Sequence, residues 1–296
     1  MIESALVPTH FQVGVVDASF VPKSGKATYG VDRFYNGKAS RTERGLEISM
    51  MAVVDVEQVI GYTLSVQQTP PSAPVDESSE TERTRVDDYL DHLRATRTTF
   101  PSGVRHLVGD GFYSKLKWVN GVKQLGLEVI GKLRCDANLN YLYDGPQKPR
   151  GAPRKYDGKV DLTDLTRWQD LGVVEPETEL YTAVVWSVCL KRKIRVVYLL
   201  NRKHPERLCY ALLFSTDINL DPIQLFEAYR ARFQIEMCQP QYPHRHLADA
   251  VEVVSLEAVF WAFTFSYKVL NRFPSFVLGY FRRNSNVRGL PFPVQT

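Results

Sequence analysis

The sequence predicts an α/β fold built on a mixed sheet, and three observations predict it. Apolar, β-branched runs dominate the first third of the chain. A strand, a carboxylate, a helix and a second strand follow one another across 104–134. Three more strand-like runs then lead into a helix that opens at Pro222.

Residues 12–20 are apolar and β-branched, and 46–56 and 58–69 repeat that character, as neighbouring antiparallel strands do. A break rich in Pro and Ser covers 70–79. The polar stretch 80–97 sets Val86, Tyr89, Leu90 and Leu93 on one stripe, which predicts a helix. A strand at 104–109 ends at Asp110. The helix after it, 114–125, takes Ser114 as its cap and Gly126 as its stop. With the strand 127–134 these elements make a parallel crossover unit. Residues 144–159 hold three Pro, three Gly and five basic side chains, and read as a loop. The runs 180–190, 193–200 and 208–215 form a β-rich insertion ahead of the helix 222–237, where Asp221 is the N-cap and Pro222 the first helical residue.

Composition narrows the function classes. The 296 residues are 44% hydrophobic and 24% charged, which fits a folded core. A net charge of +4 and a pI of 8.8 lean only mildly towards polyanions. Cys135, Cys189, Cys209 and Cys238 form no C-x-x-C pair and have no His at zinc-finger spacing, so they read as reduced thiols, mostly in the core. The N-terminus lacks the pattern of a signal peptide. The charge-free run Ala258–Tyr267 is ten residues long, against the ~20 needed to span a bilayer, so no membrane segment is expected.

Three carboxylates stand out by position. Asp17 lies inside the apolar strand VGVVDASF, Asp110 at the end of HLVGD, and Glu236 near the end of LFEAYRARFQIE. A carboxylate in a buried strand is costly unless it is paired or binds a cation. Strand ends in α/β folds are favoured sites. Two aspartates and a facing glutamate would make an oxygen-rich cage suited to Mg²⁺ or Mn²⁺. Taken singly, each residue also has a plain reading: a hydrogen-bonded strand Asp, a turn residue, an exposed helix charge. Tyr229, Arg232 and Glu236 stand at i, i+3 and i+7, within roughly 60° on one helix face. An arginine there suits a bound phosphate.

Three ordered blocks resemble a known family. DASFVPKSGKATYGVDRFY, from Asp17, resembles the first-aspartate region of DDE transposases in the insertion-sequence-four-like group. GDGFYSKLKWVNGVKQLGLEVIGKLRCDANLNY, from Gly109, looks like the second-aspartate region. DPIQLFEAYRARFQIE, from Asp221, looks like the segment with the Y-x-x-R-x-x-x-E signature. The resemblance implies an RNase H-like mixed sheet flanked by helices, with the β-rich insertion between the second Asp and the Glu. It implies that Asp17, Asp110 and Glu236 hold two divalent cations, Mg²⁺ or Mn²⁺, for strand cleavage and transfer at element ends. Tyr229 and Arg232 would contact the DNA backbone, and Lys23 and Lys26 would reach phosphates. Lys148, Arg150, Arg154 and Lys155 in the loop would add salt-sensitive affinity for double-stranded DNA. A cytoplasmic, nucleoid-associated enzyme, monomeric or homodimeric, follows from that reading.

The resemblance divides the chain into a first part of the core (1–143), the basic loop and insertion (144–220), the catalytic-Glu helix (221–238) and a divergent tail (239–296). Pro240 and Pro243 stand where the family's helix would continue. The tail is therefore expected to replace the native C-terminus, and the family's N-terminal domain is expected to be missing ahead of Asp17. A non-catalytic DNA-binding remnant and a different RNase H-like nuclease remain open beside the transposase.

Overall fold

The computed structural model describes residues 5–25, 27–72, 83–203 and 209–235. The strands are β1 (Gln12–Pro22), β2 (Asp32–Asn36), β3 (Arg41–Asp55), β4 (Ile60–Gln68), β5 (His106–Val108) and β6 (Glu128–Leu133). They continue as β7 (Leu139–Leu142), β8 (Tyr156–Lys159), β9 (Gln169–Glu175), β10 (Thr178–Ser187), β11 (Arg192–Asn201) and β12 (Cys209–Ser215). The helices are α1 (Arg85–Thr96), α2 (Leu116–Gln124) and α3 (Pro222–Ala231).

All these strands join one mixed sheet, ordered β2-β3-β1-β5-β6-β12-β11-β10-β7-β8, with β4 on β3 and β9 on β10. The core order β4-β3-β1-β5-β6 has β1, β5 and β6 parallel and β3 antiparallel to its neighbours. This is the RNase H-like sheet, in an α/β protein. The insertion extends it, because β12 pairs antiparallel with the far edge of β6.

Alternation along the strands makes two cores. Val16, Met51, Leu107 and Val129 face α1 and α2, where Leu90, Leu93, Trp118 and Val122 are buried. Val13, Val15, Met50, Val108 and Ile130 face α3 through Leu225, Phe226 and Ala228. The stripe Val86, Tyr89, Leu90 and Leu93 is buried as expected. Helix α1 is tied at its start by the Asp87 carboxylate, which accepts the Thr84 backbone N–H at 2.8 Å.

Several local expectations need correction. Ser114 does not cap α2: Lys115 occupies the cap position, and the Ser114 hydroxyl donates instead to the Lys132 carbonyl at 2.7 Å. Gly126 does stop α2. At φ +74° it lets its own N–H bond the Lys123 carbonyl and the Leu127 N–H bond that of Val122, satisfying two terminal acceptors. Strands β2, β7, β8 and β9 lie in segments whose polar and glycine-rich composition hid them. The loop 144–159 is thus shorter than expected, since β8 occupies its last residues. The thiols are not core residues: Cys135 and Cys189 are exposed and Cys209 half-buried, because they sit at turns and on a strand end. Cys238 lies outside the described residues. No helix among the described residues is long and apolar enough to cross a membrane.

Candidate active site

The parallel register of the three central strands sets the site. Val15 pairs with Val108, and Val108 with Ile130. Two residues past Val15, Val108 and Ile130 lie Asp17 on β1, Asp110 just beyond the end of β5, and Lys132 on β6. Side chains two apart share a face, so all three belong to the face that α3 covers. The Gly109 N–H donates to the Ile130 carbonyl at 3.0 Å, continuing the ladder past β5. Asp110 then turns the chain, its carboxylate accepting the Phe112 N–H at 2.8 Å.

Helix α3 supplies the opposite wall. The Asp221 carboxylate caps it, accepting the N–H groups of Ile223 at 2.9 Å and Gln224 at 3.1 Å. The helix closes at Ala231, short of the expected 222–237: a turn at 232–233 interrupts it, and helical backbone resumes at 234–235, the last described residues. The guanidinium of Arg232, a residue only 6% exposed, lies with Nη1 3.9 Å from Asp17 Oδ1. It also lies over the Phe233 ring at 4.5 Å. A cleft of about 720 Å³ opens between the strand ends and α3, lined by Asp110, Lys132, Arg134, Tyr229, Arg232 and Phe233.

Beneath the two aspartates lies an aromatic cluster. Tyr113 is buried, with its ring 4.8 Å from Trp118 and 5.5 Å from Tyr89. Burial pushes the Tyr113 hydroxyl well above its usual range, and the neighbouring Tyr89, Asp17, Asp110 and Glu47 push the same way. Both aspartates therefore act electrostatically on one buried phenol. Tyr89 donates to the buried Glu47 carboxylate at 2.6 Å. Burial lowers the Lys115 ammonium, which rests on the Phe112 ring, while Asp110 pulls it back up.

The structure thus brings together Asp17, Asp110, Tyr229 and Arg232. Glu236 and Lys26 lie outside the described residues. Lys23 follows directly on the end of β1. Lys148, Arg150, Arg154 and Lys155 all precede β8, at the far end of the strand order, and none of them lines the cleft. Arg154 is engaged locally, donating to Asp157 at 2.6 Å and lying over the Tyr143 ring at 4.5 Å. Lys132 and Arg134 were not singled out from the sequence, although their place two and four residues past Ile130 in a parallel strand was the available signal.

Among the described residues, one group of three potential metal donors converges closely: His10, Asp55 and Glu57. It lies at the start of β1, away from Asp17. His10 Nδ1–H donates to the fully buried Asp55 carboxylate at 2.9 Å, and Phe11 N–H donates to Glu57 at 2.9 Å.

Residues 2–193 match the model of the DDE superfamily endonuclease family. The chain belongs to that family. Asp17, on β1, and Asp110, just past the end of β5, both fall within the matched residues. No curated protein matches the chain. Among solved structures, it is similar to endonuclease V of Ciona intestinalis in complex with a 24mer DNA containing an inosine followed by a ribo-adenosine. That likeness has 12% identity, covers 85% of this chain and 88% of that one, and has a TM-score of 0.32. An aspartate-to-asparagine variant of the same enzyme on a 23mer DNA gives 13% identity, 85% and 87% coverage and a TM-score of 0.29.

Proposed function

We propose that this DDE endonuclease is an insertion-sequence transposase of the insertion-sequence-four-like group that cuts and joins DNA by metal-dependent phosphoryl transfer. The observation that carries the reading is the row of Asp17 on β1 and Asp110 just past the end of its parallel neighbour β5, facing Tyr229 on α3 and Arg232 at its C-terminal end.

The residues fit divalent ions. Two carboxylates on one face form an all-oxygen donor set, and a buried guanidinium beside Asp17 meets the same need for positive charge. Asp17 and Asp110 would hold Mg²⁺ or Mn²⁺, with Glu236 as the third ligand. Such ions, when bound, supply activation of a water or 3′-hydroxyl and stabilisation of the leaving oxygen. The chain's own groups do the rest. Arg232 offers a planar fork to a phosphate. Lys132 adds a compact positive charge at the end of the row. Tyr229 and Phe233 form the apolar side of the cleft. The DNA partner implies a nucleoid-associated, cytoplasmic protein, and the division at 143, 220 and 238 belongs to the same proposal.

The test is a plasmid-nicking assay with Mg²⁺ or Mn²⁺, followed by a strand-transfer assay with element ends. Nicking that Asp17→Asn abolishes supports the nuclease reading, and joining of ends to a target supports the transposase. DNA binding without nicking in the unaltered chain would instead support the non-catalytic alternative.

A further inference from the structure

We infer that the ribbon of β2 and β3 is a second DNA-binding surface, which grips the phosphate backbone some distance from the cleft. The inference rests on the DNA-directed function proposed above and adds a contact that neither the motifs nor the cleft supplies.

The ribbon leaves the sheet where β1 ends. Gly45 pairs with Pro22 of β1 and with Asp32 of β2, and from there β2 and β3 continue alone to the turn at 37–40. The junction is tight. A Cβ on Gly45 would stand 2.5 Å from the Val21 carbonyl oxygen and 2.6 Å from the Phe20 ring, so glycine lets three strands meet there.

Beyond the junction the two faces differ. Phe34 is buried beneath the Arg85 guanidinium, 4.3 Å from its ring centroid, and its cross-strand partner Glu43 binds Arg41 at 2.6 Å. Asp32 is held by Arg85 at 3.0 Å. The other face carries Arg33 directly opposite Arg44, then Tyr35 opposite Thr42, and all four are exposed. Among the described residues neither arginine has a carboxylate partner. Arg44 donates only to the Gly25 carbonyl, at 3.4 Å. Tyr35 is 61% exposed.

Like charges directly opposite on paired strands destabilise the pairing. Among the described residues, the ribbon's own acids, Asp32 and Glu43, are engaged on the opposite face. The fold therefore bears a repulsion that a polyanion would cancel. Two guanidinium forks with an exposed phenol between them and the ribbon tip suit a sugar-phosphate backbone.

The register also sets the distance. Asp17 pairs with Met50, and Arg44 lies six residues further along β3, on the same alternation. At ~3.4 Å per residue that is about 20 Å. Duplex DNA advances ~3.4 Å per nucleotide of one strand, so the ribbon would meet phosphates about six nucleotides from the cleft.

The test uses the full chain, fluorescently labelled duplex DNA and EDTA, so that binding is read without cleavage. Arg44→Glu is expected to lower affinity at least tenfold and to reduce the slope of log K against log salt by about 1 for each phosphate no longer neutralised. The same substitution replaces an Arg–Arg pair by an Arg–Glu pair, so its Tm should hold or rise. Loss of binding would then not be loss of folding. An Arg33→Gln, Arg44→Gln double variant with unaltered affinity and slope overturns the inference and leaves the nuclease reading intact. Absence of salt-dependent binding in the unaltered chain removes both.

Discussion

Arg232 Nη1 stands 3.9 Å from Asp17 Oδ1, joining the C-terminal end of a helix to a central strand across the wall of the cleft. The distance is Coulombic contact and not a hydrogen bond. Both groups are largely buried, at 8% and 16% side-chain exposure, so their attraction is screened less than that of a surface pair. Arg232→Ala should lower DNA nicking by about 100-fold, the scale for losing one preorganised donor at a phosphoryl centre. Arg232→Lys should restore the charge but not the fork, and recover only part of the rate. Full nicking activity in Arg232→Ala would remove this residue from the site.

Lys132 extends the row of Asp17 and Asp110 by one strand and lines the same cleft. Lys132→Ala should slow nicking by about 10- to 100-fold, while Lys132→Arg keeps most of the rate, because a point charge suffices there. Steady-state kinetics on a short duplex would check this. An unchanged rate in the alanine variant sinks the assignment.

His92 fastens α1 to the sheet, its two ring nitrogens each 2.9 Å from the hydroxyls of Ser49 and Ser65. Burial lowers its pKa from 6.5 to about 4. The folded state therefore favours the neutral ring. The corresponding stability is present above pH 6.5 and is lost as the pH falls towards 4, a total of about 3 kcal/mol at ~1.4 kcal/mol per unit. Denaturant titrations at pH 7 and pH 4 should show His92→Asn losing less stability than the unaltered chain over that range. Parallel losses in the two proteins would contradict it.

Asp221 holds the first turn of α3 by two backbone N–H bonds, at 2.9 Å and 3.1 Å. Asp221→Ala should cost about 1 kcal/mol, and Asp221→Ser should recover most of it. The measurement is the denaturation midpoint. Because α3 carries Tyr229 and leads into Arg232, the alanine variant should also bind DNA more weakly. A midpoint unmoved by the alanine change would show the cap to be idle.

Much of the core was legible in the chain itself. The runs at 12–20, 46–56 and 58–69 carry enough β-branched side chains to announce β1, β3 and β4, and the strand–helix–strand rhythm around Asp110 announces β5, α2 and β6. The stripe Val86–Leu93 and the Asp221–Pro222 start are equally local signals. Strands β2, β7, β8 and β9 were not legible, since each is short, polar or interrupted by glycine and is held by pairing to a neighbour already in place. Ser114 looked like a helix cap until the Lys132 carbonyl, 18 residues away, claimed its hydroxyl.

The sequence by itself determined the two aspartates, the amphipathic helices and the alternation of strand faces, because these depend on residue type and spacing along a few turns of chain. Only the tertiary structure decided that Lys132 joins the aspartate row, that Arg232 reaches Asp17, and that Arg33 faces Arg44. Each of those relations depends on the register between strands or the docking of a helix. Register is fixed by the packing of whole faces against each other, and no single segment contains that information.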